Sequence, residues 1–277
     1  MERVIAENRV VFYRSQLIPC IHGFSTRIGG ISTLSHTSSM NLGFDRGDDR
    51  ETVLENLELF ADAVGFSSHE LISVSQVHSD NIRRVDRENC GEGISKVERE
   101  SCDGYISEDE SVAVGIRTAD CVPILLYAPP KGDFAGAVAA LHAGWRGTAL
   151  GIAGKAVKEL YRMGASASDV VAAIGPSIEK CCYSVRDDFY REFLEKAGKE
   201  LTERYVTPNA SEIGVYYADL KGANREILIN AGLAPENIDV SDRCTCCDTD
   251  EFFSHRYSHG VRGSMLSVIK NKTIGNR

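Results

Sequence analysis

Phe134-Ala135-Gly136-Ala137-Val138-Ala139-Ala140-Leu141 is a run of small apolar residues that leads straight into His142-Ala143-Gly144-Trp145-Arg146-Gly147-Thr148. The run reads as a buried strand. Beyond it, Ala149 to Met163 reads as a helix. Thr148 is placed to cap it, Ala149, Ala153, Ala156, Val157, Leu160 and Tyr161 make its apolar stripe, and Gly164 ends it. Working outward, two more strand-like runs, Val112–Arg117 and Val122–Tyr127, precede it with only short turns between. Three strands without an intervening helix break the alternation of a doubly wound sheet. They predict an α+β fold with mixed or antiparallel sheets.

Further strands are expected at Val10–Tyr13, Leu71–Val77, Val170–Ile174 and Ser264–Ile269. A helix is expected after Asp48, which with Glu51 forms a capping-box-like start. Val53, Leu54, Leu57, Phe60, Ala61 and Val64 then follow helical spacing up to Gly65. Two more helices are expected over Asp187–Ala197 and Leu220–Ala231. Asn89 to Lys96 is polar and contains glycine, and it is short enough to be a surface loop. There is no internal repeat, so a single domain over residues 1–277 is expected.

Bulk composition narrows the function. With 43% hydrophobic residues and a mean hydropathy of -0.19, the chain can bury a sizeable core. A net charge of -9 argues against a nucleic-acid partner. No apolar run approaches the roughly 18 residues of a membrane span. The first residues show no signal-peptide core. Nine cysteines, an odd count, then favour a cytoplasmic protein with free thiols, some of which are available to a metal.

A His, an Arg, two glycines and the chain's single Trp crowd the turn from His142 to Gly147. Strand-to-helix turns expose backbone N–H groups at the mouth of a sheet, where α/β proteins bind ligands. Three potential metal ligands sit just beyond strand-like runs: His78, Cys121 and His142. Two imidazoles and a thiolate suit Zn²⁺ and leave a fourth position open. The same residues also read as a nucleophile–base pair, with Cys121 attacking and His142 or His78 as base. Spacing does not separate the two.

Other signals are weaker. Arg27, beside Gly29-Gly30, suits an anion loop, and Asn41 opens a polar, glycine-punctuated loop that runs to Asp49. Cys244-Thr245-Cys246-Cys247 holds a Cys-x-x-Cys spacing and Cys181-Cys182 is an adjacent pair. A zinc ribbon needs two Cys-x-x-Cys pairs, so buried structural thiols are the expectation here. His255 and His259 are four apart, but Phe252 to Gly260 reads as a loop rather than a helix.

Taken in order, Ser25-Thr26-Arg27-Ile28-Gly29-Gly30, Met40-Asn41-Leu42-Gly43, Ser75-Gln76-Val77-His78, Cys102-Asp103-Gly104, Thr118-Ala119-Asp120-Cys121-Val122-Pro123 and His142 to Gly147 resemble one family. So do Ile174 to Ile178, Cys181-Cys182-Tyr183, Asp219-Leu220, Asn224-Arg225, Cys244-Thr245 and Phe252-Phe253-Ser254. It is the family once called multicopper polyphenol oxidases, or laccase-like proteins, now linked to purine nucleoside phosphorylase activity and including a peptidoglycan-editing branch. The resemblance implies a single domain layered helix, sheet, sheet, helix, similar to toxin-type cysteine hydrolases. It implies a zinc site on His78, Cys121 and His142, with phosphorolysis of adenosine, inosine and methylthioadenosine and deamination of adenosine. The partners would be a nucleoside and phosphate, and the chain a monomer or homodimer. Arg27 and Arg146 would supply the anion site with Asn41 beside them, and Asp120 or Asp103 the proton shuttle. An amidase acting on cell-wall precursors through Cys121 is the alternative. A copper oxidase ranks third, because seven His with two in the strongest motifs are few for a copper cluster. Two stretches depart from the family pattern: Ser177 stands where relatives often carry Cys, and Gly260-Val261-Arg262-Gly263-Ser264 displaces an Arg.

Overall fold

Every second residue of the run before His142 faces a different core, and this places the run in the middle of a layered protein. The computed structural model describes residues 1–166 and 168–273. One six-stranded sheet has the order β1 (Glu2–Ile5), β2 (Val11–Arg14), β3 (Cys20–Ser25), β15 (Met265–Thr273), β7 (Ala113–Thr118), β4 (Leu71–Ile72). A second has the order β14 (Ile238–Val240), β10 (Val171–Ile174), β8 (Val122–Ala128), β9 (Ala137–Ala143), β6 (Gly104–Ser107), β5 (Ile82–Arg84). A three-stranded sheet joins β11 (Ser184–Arg186), β13 (Val215–Ala218) and β12 (Val206–Pro208). Both large sheets are mixed: β4 runs parallel to β7, β14 parallel to β10 and β5 parallel to β6, while the other pairs are antiparallel.

The layers follow from burial. Helix α1 (Arg50–Val64) sets Leu57, Phe60 and Ala61 against Phe12, Leu71 and Leu266 on the outside of the first sheet. Between the sheets, Phe24, Ile116 and Ile269 meet Leu125, Val138 and Ala140. The far face of the second sheet, with Ile124, Ala139 and Leu141, buries α3 (Ile152–Met163), α4 (Asp187–Ala197) and α6 (Leu220–Asn230). The order is helix, sheet, sheet, helix. Strand β9 reads as an unbroken apolar run because both of its faces are covered. Helix α5 (Lys199–Tyr205) flanks α6, and no helix among the described residues is long and apolar enough to cross a membrane.

Several expected elements shift. The helix after His142 is two helices, α2 (Trp145–Ala149) and α3, broken at Gly151, whose φ of 75° suits glycine. Thr148 is therefore inside α2 rather than at a cap, and its hydroxyl donates to Ala143 O. The cap of α1 is Asp49, which accepts from Thr52 N at 2.8 Å. Asp48 instead binds Ser32, Thr37 and Asn41. The expected strand Leu71–Val77 stops at Ile72, because Ser73 N turns to Glu92 O and Val74 N to the Tyr105 hydroxyl.

Gly175 packs where the sheets meet: a Cβ there would lie 2.3 Å from the buried Phe24 ring and 2.9 Å from Pro123. Gly175→Ala is expected to destabilise the fold by about 1–3 kcal/mol, the usual cost of overpacking a tight core. Denaturant unfolding measures it, and an unchanged midpoint would show that the sheets slide to make room.

Candidate metal centre

Strand register builds the site. Val122 pairs with Ala143 and Pro123 with His142, so Cys121, just before β8, falls at the same sheet end as His142. On the other side Gly104 pairs with Leu141, which sets Asp103 beside His142. The His142 N–H donates to Asp103 O at 2.7 Å, and His142 Nδ1 lies 2.8 Å from Asp103 Oδ1. A ring that gives its Nδ1–H to a carboxylate presents Nε2 as its free nitrogen.

Asp103 is wholly buried and also gathers the chain around His78. Its oxygens accept from the N–H groups of Val77 at 3.2 Å, His78 at 3.0 Å and Ser79 at 2.7 Å, and from the Ser79 hydroxyl at 2.7 Å. The wrap holds His78 at a φ of 60°, which non-glycine residues adopt uncommonly. Burial alone would raise the Asp103 pKa. The bonds from His142 and Ser79 outweigh it and hold the carboxyl down at about 2. Burial likewise opposes protonation of His142, but the neighbouring Cys121 and then Asp103 push it up to about 9. His78 is lowered by desolvation and by the neighbouring His142.

One ligand atom each from His78, Cys121 and His142 lie within 4.8 Å of one another. The two imidazoles meet edge to face with centroids 4.9 Å apart. Gly144 allows this approach, since a Cβ there would stand 2.7 Å from His78 Nδ1. Two imidazoles and a thiol so placed form a candidate metal-ligating set.

The three face a cleft of about 410 Å³. Its wall carries four guanidinium groups, from Arg46, Arg50, Arg117 and Arg262. Arg50 and Arg117 stack on Phe44 at 4.7 and 5.1 Å. Arg117 is fixed by bonds to Leu42 O at 2.8 Å and Ser73 O at 3.0 Å, while the Gln76 amide brackets its backbone with two bonds of 2.7 Å. Arg262 donates to Ser264 Oγ at 2.7 Å. Burial holds both Arg117 and Arg262 down at about 10, so both stay charged at neutral pH. Asp45 and Glu98 also line the cleft, so its charge is not uniformly positive.

The remaining sequence candidates lie elsewhere. Arg27 donates to Ser38 O and Thr249 O and stacks on Phe253 at 4.7 Å. Asn41 is buried and stitches Gly43, Asp48 and Ser264 together. Arg146 pairs with Glu192 at 3.2 Å and covers Trp145, which packs on Phe189. Asp120, at a φ of 89°, spends its carboxylate on Thr245, Ser254 and Arg256 N. Ser177 is buried, with a hydroxyl that has no partner. His255 and His259 form no metal group among the described residues. Of the four cleft arginines, the sequence singles out Arg262 as the displaced Arg and holds Arg46 within the polar loop after Asn41, while Arg50 and Arg117 go unremarked. Their common signal is weak, because they come from two loops, the start of α1 and strand β7.

The geometry defines the class: a four-layered α+β protein whose sheet ends carry a mixed imidazole–thiol centre beneath an arginine-rich wall. The chain belongs to the multi-copper polyphenol oxidoreductase laccase family, whose model matches residues 21–272. It is 38% identical over 255 residues to the purine nucleoside phosphorylase YlmD of Geobacillus stearothermophilus, covering 90% of this chain and 89% of that one. It is 35% identical over 246 residues to adenosine deaminase RL5 of an unknown prokaryotic organism, covering 85% and 88%. The solved structure of YlmD from Geobacillus stearothermophilus superposes with a TM-score of 0.85 at 35% identity, covering 95% and 96%.

Two substitutions test the centre. Asp103→Asn removes the anchor of His142 and is expected to weaken metal binding by about 10–100-fold, as loss of such partners does; unchanged affinity would show that Asp103 only braces the backbone. Since the Asp103 pKa is depressed from 3.8 to about 2, its ionised form stabilises the fold above pH 4 by about 2 kcal/mol. That contribution is lost as pH falls from about 4 to 2. Urea unfolding across this range should show it in the native chain and not in Asp103→Asn. Gly144→Ala is expected to displace His78 and lower metal affinity about tenfold or more with little change in stability; isothermal titration reads it, and full affinity would mean His78 is not a ligand.

Proposed function

We propose that the chain is a zinc-dependent purine nucleoside phosphorylase acting on adenosine, inosine and methylthioadenosine, with adenosine deaminase activity. The observation that carries this reading is the cleft that sets His78, Cys121 and His142 against four guanidinium groups. Phosphorolysis brings an anionic nucleophile to the ribose carbon while the purine leaves. Guanidinium groups hold phosphate by paired, charge-assisted bonds. Arg46 and Arg262 are the groups we assign to it, because they line the cleft and Arg27 and Arg146 do not. The relatives' names, purine nucleoside phosphorylase and adenosine deaminase, support purine nucleosides as the substrate class.

Zinc fits the donor set of one thiol and two imidazoles. When bound, it supplies Lewis acidity and makes hydroxide available at neutral pH for attack on C6 of adenine. The chain does the rest. Asp103 keeps His142 in one tautomer, the wrap at Val77 to Ser79 sets His78, and the register of β8 with β9 sets Cys121. Copper clusters are disfavoured by the ligands: among the described residues, His78 and His142 are the histidines that meet in a metal-ligating group.

A second reading has its own observation. Cys121, His142 and Asp103 also lie in the order of a thiol nucleophile, its base and the carboxylate that orients the base. This would suit an amidase acting on cell-wall precursors.

Metal-replete chain given adenosine and phosphate should release adenine and ribose 1-phosphate, and without phosphate some inosine. Chromatography of both reactions checks it, and neither product appearing would refute the assignment. Turnover of an amide substrate by zinc-stripped chain, abolished in Cys121→Ser, would favour the amidase instead. Arg262→Ala should raise KM for phosphate about tenfold or more, the scale of one charged hydrogen bond, while Arg146→Ala leaves it unchanged. Equal effects of the two would remove the anion role from the cleft.

A further inference from the structure

Five of the nine cysteines gather on the other side of the Asp120–Cys121 turn. The thiols of Cys181, Cys182, Cys244 and Cys247 lie within 4.8 Å of one another. Cys181 Sγ is 3.7 Å from Cys182 Sγ, 3.7 Å from Cys244 Sγ and 3.6 Å from Cys247 Sγ, and Cys182 Sγ is 3.3 Å from Cys247 Sγ. These thiols are not the buried structural set that the sequence suggests. Cys181 and Cys247 are exposed, Cys182 is half-buried, and only Cys244 is buried. Exposed thiols at such spacing bury little apolar surface, so packing does not account for the cluster.

A metal does. Zn–S bonds of about 2.3 Å in a tetrahedron put the sulfurs about 3.8 Å apart, close to the spacings here. Structural zinc sites take four protein ligands, and four thiols are available. The Glu179 N–H lies 3.4 Å from Cys244 Sγ, a donor that stabilises thiolate charge. We propose that Cys181, Cys182, Cys244 and Cys247 form a second, structural site that takes one Zn²⁺ in a four-thiolate shell, independent of the centre at His142. Each thiol gives up its proton to the solvent and each sulfur lone pair to the metal, with no change of oxidation state.

The site acts as a clip. It joins the loop after β10 to the loop after β14, which also meet through the Ser177–Cys244 bridge, the bond from Thr245 N to Ser177 O, and the Lys221 ammonium, which donates to Glu179 Oε1 on one loop and to Ser241 O and Arg243 O on the other. Thr245 lies inside the clip, and its hydroxyl donates to Asp120 Oδ1 at 2.6 Å. Asp120 O in turn accepts from Ile178 N. The two loops also reach Asp120 through these bonds.

The test is the zinc content of the full chain, purified under reducing conditions and read by mass spectrometry. Two equivalents are expected in the native chain and in Cys246→Ser. One is expected in Cys182→Ser/Cys247→Ser and one in His142→Ala. If the double variant does not fold, His142→Ala keeps the question open to test. Its cobalt-exchanged form should show the visible bands of tetrahedral cobalt with thiolate-to-metal charge transfer, and chelation should expose four further thiols to a thiol reagent. One equivalent in the native chain that His142→Ala removes, or disulfide-linked masses among these four residues, would overturn the site. One equivalent in His142→Ala with none in the cysteine variant would support it while removing the His78–Cys121–His142 centre.

Discussion

The buried carboxylate of Asp103 is the contact on which the site depends. A charge taken out of water is costly unless it is fully paired. Asp103 is paired by an imidazole, three backbone N–H groups and a hydroxyl. Meeting that demand forces the chain from Val77 to Ser79 into a turn around it, and the turn throws His78 toward His142. One carboxylate therefore orients one ligand through its ring and the other through its backbone. The β6–β9 register holds Asp103 in place, and it is rigid because both faces of the sheet are packed.

The opposite wall is organised by similar polar hubs. Asp48 collects Ser32, Thr37 and Asn41, and Asn41 collects the loop at Ser264. These bonds present Phe44, Arg46 and Arg262 to the cleft from segments more than 200 residues apart in sequence. Arg117 comes from β7 and is locked by backbone carbonyls and by Gln76. The same sandwich thus presents soft metal ligands on one side and fixed positive charge on the other.

Much of this was legible in the chain. The apolar runs gave the central strands β7 to β10, and the lack of a helix between Val112 and Leu141 gave the mixed sheets. Asp187–Ala197 was read to the residue, because Asp187 and Asp188 open it and Phe189 and Phe193 keep helical spacing. The layering came from the family resemblance. What escaped were short or polar elements such as β5, β11 and β12, whose pairing is set by distant partners, and the buried strands β3 and β6, whose Gly, His and Ser residues break the apolar pattern. The helix break at Gly151 looked like a tolerated glycine inside a helical stripe. In the site, Cys121 and His142 announced themselves by sitting at strand ends, whereas the strand expected before His78 ends at Ile72 and His78 reaches the site through the turn around Asp103. Of the cleft arginines only Arg262 stood out, as a displaced Arg; Arg46, Arg50 and Arg117 carry no sign in the sequence of the direction they face, and Arg27 and Arg146 sat beside more suggestive glycines. The four-cysteine cluster was hidden because one of its pairs is adjacent rather than spaced.

Asp120 is tied to Thr245, Ser254 and Ile178, and Val122 pairs with Ala143, so the position of Cys121 between them is a property of the whole sheet end rather than of one loop. The most direct check of the centre is an anomalous-difference map at the zinc edge, from crystals grown with zinc. A peak bonded to His78, Cys121 and His142 together is expected. A map with no peak there, or with the metal held by only one of the three, contradicts the centre.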